Sequence, residues 1–298
     1  MKHVLGMVAV MMLVLGTGGA SVAQEAPATQ PAARGARRGG PARKPINPDL
    51  PTLWIIGDST VKNGGDTGNN GQWGWGNPIA SYFDESKINI QNRALGGTSS
   101  RTFYRDQWPR ILTEIKKGDY VIMQFGHNDD GPVNDDFRAR GTPKNNSDDS
   151  QEIDNILTKQ HEVVHSYGWY LRRFISDAKE KGAVMGLICS PIPRNSWRNG
   201  TMAGLSSYNP VAKEAADQIG APYIDLNERV VAKYNAAGQE KVTETYFPER
   251  EGTHTDWAGA VLNAETIVEV LKDQKNPLTK YLKPQPPTDL QPPMGRAR

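Results

Sequence analysis

Leu53-Trp54-Ile55-Ile56-Gly57-Asp58-Ser59-Thr60 is the stretch that decides the fold. Four apolar residues run unbroken into Gly-Asp-Ser-Thr. A short continuous apolar run suits a strand buried on both faces of a parallel sheet. A glycine at its end permits a tight exit, and open α/β sheets place ligands in the crevice beyond the carboxyl ends of their strands. The same grammar recurs along the chain. Residues 88–93 alternate apolar and polar before Ala94-Leu95-Gly96-Gly97, and residues 120–125 are nearly all apolar before Gly126-His127-Asn128-Asp129. Two more apolar runs occupy 184–189 and 222–226. Helical patterns lie between them, at roughly 78–84, 109–117, 169–181, 207–219 and 257–272. The alternation predicts βαβ units and an α/β fold wound around a parallel sheet of about five strands.

The chain has 298 residues. Residues 1–23 predict a cleavable secretory signal, with Lys2 and His3 as a basic start, an apolar centre at 8–15 and the small-residue site Ser21-Val22-Ala23. That apolar stretch is shorter than the roughly 20 residues of a membrane span, and no later segment is long and apolar enough, so no span is expected in the mature protein. Residues 24–50, rich in Pro, Ala, Gly and Arg, predict a disordered linker, because they cannot bury enough apolar surface to offset ordering entropy. Residues 283–298, with paired prolines, predict a disordered tail. One domain is expected over 51–282, ample for a single core. The expected location is periplasmic or secreted.

Thirty-five basic residues face 33 acidic ones, a formal +2. Residues 1–50 hold six of the basic residues and two of the acidic ones, so the remainder is slightly acidic and nothing points to nucleic acid. Cys189 is the single cysteine, which excludes an intramolecular disulfide and a cysteine-based zinc site. Its place in an apolar run predicts a buried thiol.

The chemistry-bearing segments fall in a fixed order: Gly57-Asp58-Ser59-Thr60, Gly96-Gly97-Thr98-Ser99, Gly126-His127-Asn128-Asp129, and late on Thr253-His254-Thr255. A serine hydroxyl needs a base to become a nucleophile, and His254, just before the last helical pattern, is the candidate base for Ser59. An acyl-transfer oxyanion needs positioned donors, and the backbone amides of Ser59 and Gly97 with the side-chain amide of Asn128 could supply three. Each segment alone has an ordinary reading as a turn, a bend, a cap or a surface histidine. Their joint, ordered occurrence after strand-like runs predicts a serine hydrolase that needs no cofactor.

In these segments the chain resembles the GDSL/SGNH hydrolase superfamily, whose named Ser, Gly, Asn and His match Ser59, Gly97, Asn128 and His254. Within that superfamily it resembles the rhamnogalacturonan acetylesterase-like carbohydrate esterases, through Thr60 in place of a leucine, Asn92-Arg93-Ala94, Ser99-Ser100-Arg101-Thr102-Phe103 and Thr253-His254-Thr255. The resemblance covers about residues 52–273. It implies a three-layer α/β/α flavodoxin-like fold and removal of acetyl groups from a pectic polysaccharide or oligosaccharide. One position departs. The family places Asp three residues before the histidine, and this chain has Glu251. Glu251 is one methylene longer but can still orient an imidazole. Asp256, two residues after His254, is the rival acid.

Other features carry two readings each. Trp73 and Trp75 are expected to split between core packing and stacking on a sugar rim. Arg101 and Arg194 either pair with uronate carboxylates of substrate or make ordinary salt bridges. His165 lies near the rim or packs. Residues 129–155, polar and rich in Asp, Asn, Gly and Pro, form either a substrate rim or a tolerated insertion. His161-Glu162-Val163-Val164-His165 fits the zinc-peptidase pattern, but that chemistry needs both histidines on one helical face and a further ligand. The β-branched pair and Gly168 argue for an extended segment, and no metal is expected. The remaining alternatives are the same chemistry on acetylated xylan or a lipid ester, and a silent carbohydrate-binding protein.

Overall fold

The computed structural model describes residues 44–63, 68–204 and 206–293. The expected signal at 1–23, linker residues 24–43 and tail residues 294–298 lie outside that set. Five parallel strands form the central sheet: β1 (Thr52–Gly57), β2 (Asn89–Asn92), β3 (Tyr120–Gln124), β6 (Met185–Cys189) and β9 (Tyr223–Ile224), in the order β2-β1-β3-β6-β9. Four coincide with the apolar runs, and β2 with the alternating segment at 88–93. β1 pairs with β2 on one side and β3 on the other, so the direction of winding reverses there and the crevice opens beyond Gly57 and Gln124.

Alternation along each central strand feeds two cores. Leu53, Ile55, Tyr120 and Ile122 point to one face and Trp54, Ile56, Val121 and Met123 to the other. That is why β1 reads as an unbroken apolar run: all six of its residues are buried. On the first face pack α5 (Leu226–Ala237), α7 (Trp257–Asp273) and a short 3-10 turn, Pro78–Tyr82. On the second pack α1 (Ser100–Asp106), α2 (Trp108–Leu112), α3 (Tyr167–Glu180) and α4 (Asn209–Gln218). The result is the three-layer α/β/α fold. Cys189 is buried, as expected. Among the described residues no helix is long and apolar enough to cross a membrane.

The domain makes contacts on both sides of 51–282. Asn47 N–H donates to Asn89 Oδ1 at 2.9 Å, and Asn89 Nδ2 returns a bond of 2.9 Å to the Asn47 carbonyl. At the other end Lys283 N–H donates to the Tyr82 carbonyl at 2.9 Å and Trp257 Nε1–H to the Leu290 carbonyl at 2.5 Å.

The polar stretch after β3 is neither featureless nor loose. It ends in β4 (Ser150–Asp154), which pairs antiparallel with β5 (His161–His165), as the short β7 (Trp197–Arg198) pairs with β8 (Thr201–Met202) further along. His161-Glu162-Val163-Val164-His165 is therefore a strand, and its two histidines sit four strand positions apart, about 13 Å, too far to share one ion. Glu162 instead meets Arg101. Gly168 packs against the loop so closely that a Cβ there would fall 2.2 Å from Asn146 Oδ1.

Candidate active site

Three strand ends converge on one cleft of about 410 Å³, lined by Ser59, Gly97, Asn128, Arg138 and His254 among others. Ser59 follows β1, Gly97 follows β2, Asn128 follows β3, and His254 enters from the loop before α7.

Ser59 Oγ lies 2.8 Å from His254 Nε2. The nucleophile loop is braced from below by a buried polar network. Asp58 Oδ1 accepts from Thr60 N–H at 2.8 Å and from Thr60 Oγ1 at 2.7 Å. Gln124 Nε2 donates to Thr60 Oγ1, and Gln124 Oε1 accepts from Trp75 Nε1–H at 2.8 Å. Thr60 thus bridges two bonds that a leucine could not make. Gly57 is required by close approach: an added Cβ would fall 2.5 Å from the Gln124 carbonyl oxygen.

The oxyanion side is equally constrained. Gly97 has φ +84°, a left-handed conformation that favours glycine. Its carbonyl accepts from Arg140 Nη1, and the next carbonyl, Thr98, accepts from Asn128 Nδ2 at 2.9 Å. One N–H of the Asn128 amide is thereby used to hold the glycine loop, leaving the other for a ligand. Among the described residues neither the Ser59 nor the Gly97 N–H bonds to protein.

Below Asn128, Asp129 is fully buried and accepts from Ser100 Oγ at 2.5 Å and Ser100 N–H at 3.1 Å. Burial pushes its carboxyl up to about 7, against the lowering effect of those donors. Burial also pushes His127 down to about 4, so it is neutral at neutral pH.

The two candidate acids sit differently. Glu251 Oε2 stands 3.4 Å from His254 Nδ1, in ion-pair range but off hydrogen-bond alignment. Catalytic contacts in unliganded sites are often this loose. Burial would raise the Glu251 carboxyl, but its Oε1 accepts from the Thr253 and His254 N–H groups at 2.7 and 3.1 Å, and its net pKa is lowered, so it stays ionised. Asp256 is occupied elsewhere. It is the N-cap of α7, with Oδ1 accepting from Gly259 N–H at 2.8 Å.

Glu251 is also held by a residue that the sequence did not single out. Gln72 Nε2 donates to Glu251 Oε2 at 2.7 Å, and Gln72 Oε1 accepts from Asn63 Nδ2 at 2.7 Å. The neighbouring Trp73 bridges the histidine loop through its N–H to the Thr255 carbonyl at 2.8 Å, with Thr255 Oγ1 donating back at 3.1 Å. The segment 72–73 therefore ties to both Glu251 and the loop that carries His254.

Four of the expected substrate contacts are not at the cleft. Trp75 is fully buried, and Trp73 is 5% exposed with its ring edge-on to Trp257 at 4.9 Å, so both tryptophans pack and neither forms a rim. Arg101 is 1% exposed. Its Nε and Nη2 clamp Glu162 at 2.8 and 2.6 Å, and its Nη1 donates to the Val133 and Gly141 carbonyls at 2.7 and 3.0 Å. It pins the 129–149 segment to the fold instead of reaching substrate. His165 lies flat on Trp169, ring centroids 3.7 Å apart, and lines neither cavity near Ser59. Arg194 does reach the site: it donates to Thr253 Oγ1, one residue before the histidine, and lines an adjoining cavity of about 210 Å³.

The chain is similar to known proteins over most of its length. A protein of Bacillus subtilis (strain 168), named as a probable rhamnogalacturonan acetylesterase, is 32% identical over 77% of this chain and 96% of its own length. A rhamnogalacturonan acetylesterase of Emericella nidulans is 29% identical over 74% of this chain and 84% of its own length. The crystal structure of the Bacillus subtilis protein YxiM superposes with a TM-score of 0.61 at 27% identity, covering 76% of this chain, which spans 58% of that structure's length. The profile of the GDSL-like lipase/acylhydrolase family matches residues 55–262, and the chain belongs to that family of carboxylic ester hydrolases.

Proposed function

We propose that this protein is an exported serine esterase that removes O-acetyl groups from pectic rhamnogalacturonan. The observation that carries the reading is the 2.8 Å approach of Ser59 Oγ to His254 Nε2 in a cleft that also holds Gly97 and Asn128. The two acetylesterase relatives support the substrate class, and the apolar leader at residues 1–23 supports export.

In this mechanism Ser59 Oγ attacks the acetyl carbonyl carbon while its proton passes to His254 Nε2. The oxyanion is received by the Ser59 and Gly97 N–H groups and by the Asn128 N–H not used on Thr98. Ionised Glu251 stabilises the imidazolium. His254 then returns the proton to the departing sugar oxygen, leaving an acetyl ester on Ser59. Water, deprotonated by the same histidine, releases acetate and restores the serine.

The test is acetate release by the purified mature protein from acetylated rhamnogalacturonan, beside acetylated xylan, with Ser59→Ala as control. Ser59-dependent release, faster from rhamnogalacturonan, is expected. Release only from xylan moves the enzyme to that substrate. Binding of either polymer with no acetate released makes it a carbohydrate-binding protein.

A further inference from the structure

Several arginines elsewhere on this molecule hold carboxylates: Arg93 holds Glu114 at 2.7 Å, Arg101 holds Glu162 at 2.6 Å, and Arg229 holds Asp273 at 2.7 Å. Two arginines at the catalytic cleft do not. Arg138 lines the cleft of Ser59 itself, and Arg194 lines the adjoining cavity, together with His127. Among the described residues neither forms an ion pair. They are attached to different loops of the site. Arg194 is tied to Thr253 on the histidine side, and Arg138 belongs to the segment whose Arg140 holds the Gly97 carbonyl on the oxyanion side.

Both are presented by built local structure. Asp135 Oδ1 accepts the N–H groups of Phe137, Arg138 and Ala139 at 3.1, 2.6 and 2.6 Å, closing a turn that lifts two side chains out of the surface. Phe137 is 75% exposed, with the Arg138 guanidinium 4.8 Å from its ring centroid. An exposed aromatic face beside a cation is suited to a sugar ring that carries a carboxylate. On the other side, Arg194 spends Nη1 on Thr253 and keeps its remaining donors. Asp130 lines the same cavity but is paired with Lys144 at 3.3 Å, and neutral His127 adds no charge of its own.

Resting on the esterase reading above, we propose that Arg138 and Arg194 bind the carboxylates of uronic acid residues on either side of the acetylated sugar, with Phe137 stacking on one of them. The subsites select an acidic polysaccharide and align its acetyl group over Ser59. A planar guanidinium matches a carboxylate through two parallel bonds, which fixes orientation as well as charge.

The experiment compares kcat/KM for acetate release from acetylated rhamnogalacturonan oligosaccharide with free carboxylates against the same oligosaccharide with its uronates methyl-esterified. 4-Nitrophenyl acetate reports the acyl-transfer machinery alone. Wild type should prefer the free acid, with a preference that shrinks as salt rises. Arg138→Gln and Arg194→Gln should each lower that preference about fivefold, the size of a solvent-accessible charge contact. Arg138→Lys and Arg194→Lys should restore part of it. A role confined to bracing the Thr253 or Gly97 loops would slow both forms equally and leave the ratio unmoved. A wild-type ratio near one, or a full ratio in both Gln variants, overturns the proposal. Cleavage of 4-nitrophenyl acetate with no acetate from either oligosaccharide overturns the polysaccharide reading itself, and the subsites with it.

Discussion

Glu251→Gln should disable turnover while leaving the fold and substrate binding in place. The charge lost stands 3.4 Å from His254 Nδ1. At an effective dielectric of about 20, that separation gives roughly 5 kcal/mol of attraction for an imidazolium. The carboxylate and imidazole are 22% and 23% exposed, so water screens the pair, and about half that value is a fair expectation. Tautomer adds to it. The carbonyl of the new amide would go to the Thr253 and His254 N–H groups, as Oε1 does now, and its NH2 would face both Gln72 Nε2 and His254 Nδ1. Donor against donor disfavours the Nδ1–H tautomer, the form whose Nε2 can accept the Ser59 proton. Together these effects predict a fall in kcat of about 10²- to 10³-fold, with KM changed little. Asp256→Asn is the matched control, since Asn caps a helix about as well as Asp, and it should stay within about threefold of wild type. Steady-state kinetics on 4-nitrophenyl acetate and on acetylated rhamnogalacturonan measure both. Retention of a third or more of wild-type kcat by Glu251→Gln, or a larger loss in Asp256→Asn, would refute this assignment of the acid.

Gln72→Ala should lower kcat about fivefold, because a charge-assisted hydrogen bond is lost at a position water can reach, and should leave KM alone because Gln72 does not line the cleft. An equal change in KM would make Gln72 a binding residue instead. Asn128→Ala should cost about 10²- to 10³-fold in kcat as one oxyanion donor is removed, and kinetics indistinguishable from wild type would take Asn128 out of the oxyanion site. Asp129→Asn probes the buried carboxyl. Its folded pKa, about 7 against an ordinary 3.8, means that between those values the unfolded chain holds fewer protons, so this group's contribution is full below about 4 and is lost as pH rises through 7. His127 contributes the opposite trend, its folded value of about 4 giving stability that is lost as pH falls. The difference in unfolding midpoint between wild type and Asp129→Asn should therefore shift in favour of the variant between pH 5 and pH 8. A pH-independent difference would mean that Asp129 does not titrate in that window.

The sheet was readable because each central strand is buried on both faces, and its carboxyl end carries the chemistry. Ser59, Gly97 and Asn128 each follow an apolar run directly, so strand order alone brings them together. The helices were less even. α5 buries Leu226, Val230 and Tyr234 at helical spacing, but this narrow stripe sits among Asn227, Arg229 and Lys233 and ends at Gly238, φ +87°, before α6 (Gln239–Tyr246). α1 is seven residues long and depends on its Ser99 capping box more than on any periodic face. The β4–β5 hairpin is largely exposed on both strands and shows no consistent apolar alternation, so its existence is a tertiary fact, set partly by the Arg101–Glu162 pair.

Arg101 shows why charged residues resist this kind of reading. A guanidinium in a motif beside the active site looked available to substrate. It is instead buried, because Glu162, 61 residues later, returns to neutralise it. Gln72 is the converse. Nothing near it in the chain signals a role, since the carboxylate it holds lies 179 residues away. The Glu251 departure was visible from spacing, but the donor that holds its carboxylate was not, because that donor comes from another loop.

The most direct test of the account is the mass of the Ser59 peptide after the enzyme is mixed with an activated acetyl ester and quenched within one turnover. One acetyl group should be added to Ser59, formed and lost at rates that match turnover, and absent from Ser59→Ala, which should also release no acetate. Acetate released at the wild-type rate by Ser59→Ala, or turnover with no acetyl ever found on that peptide, would contradict it.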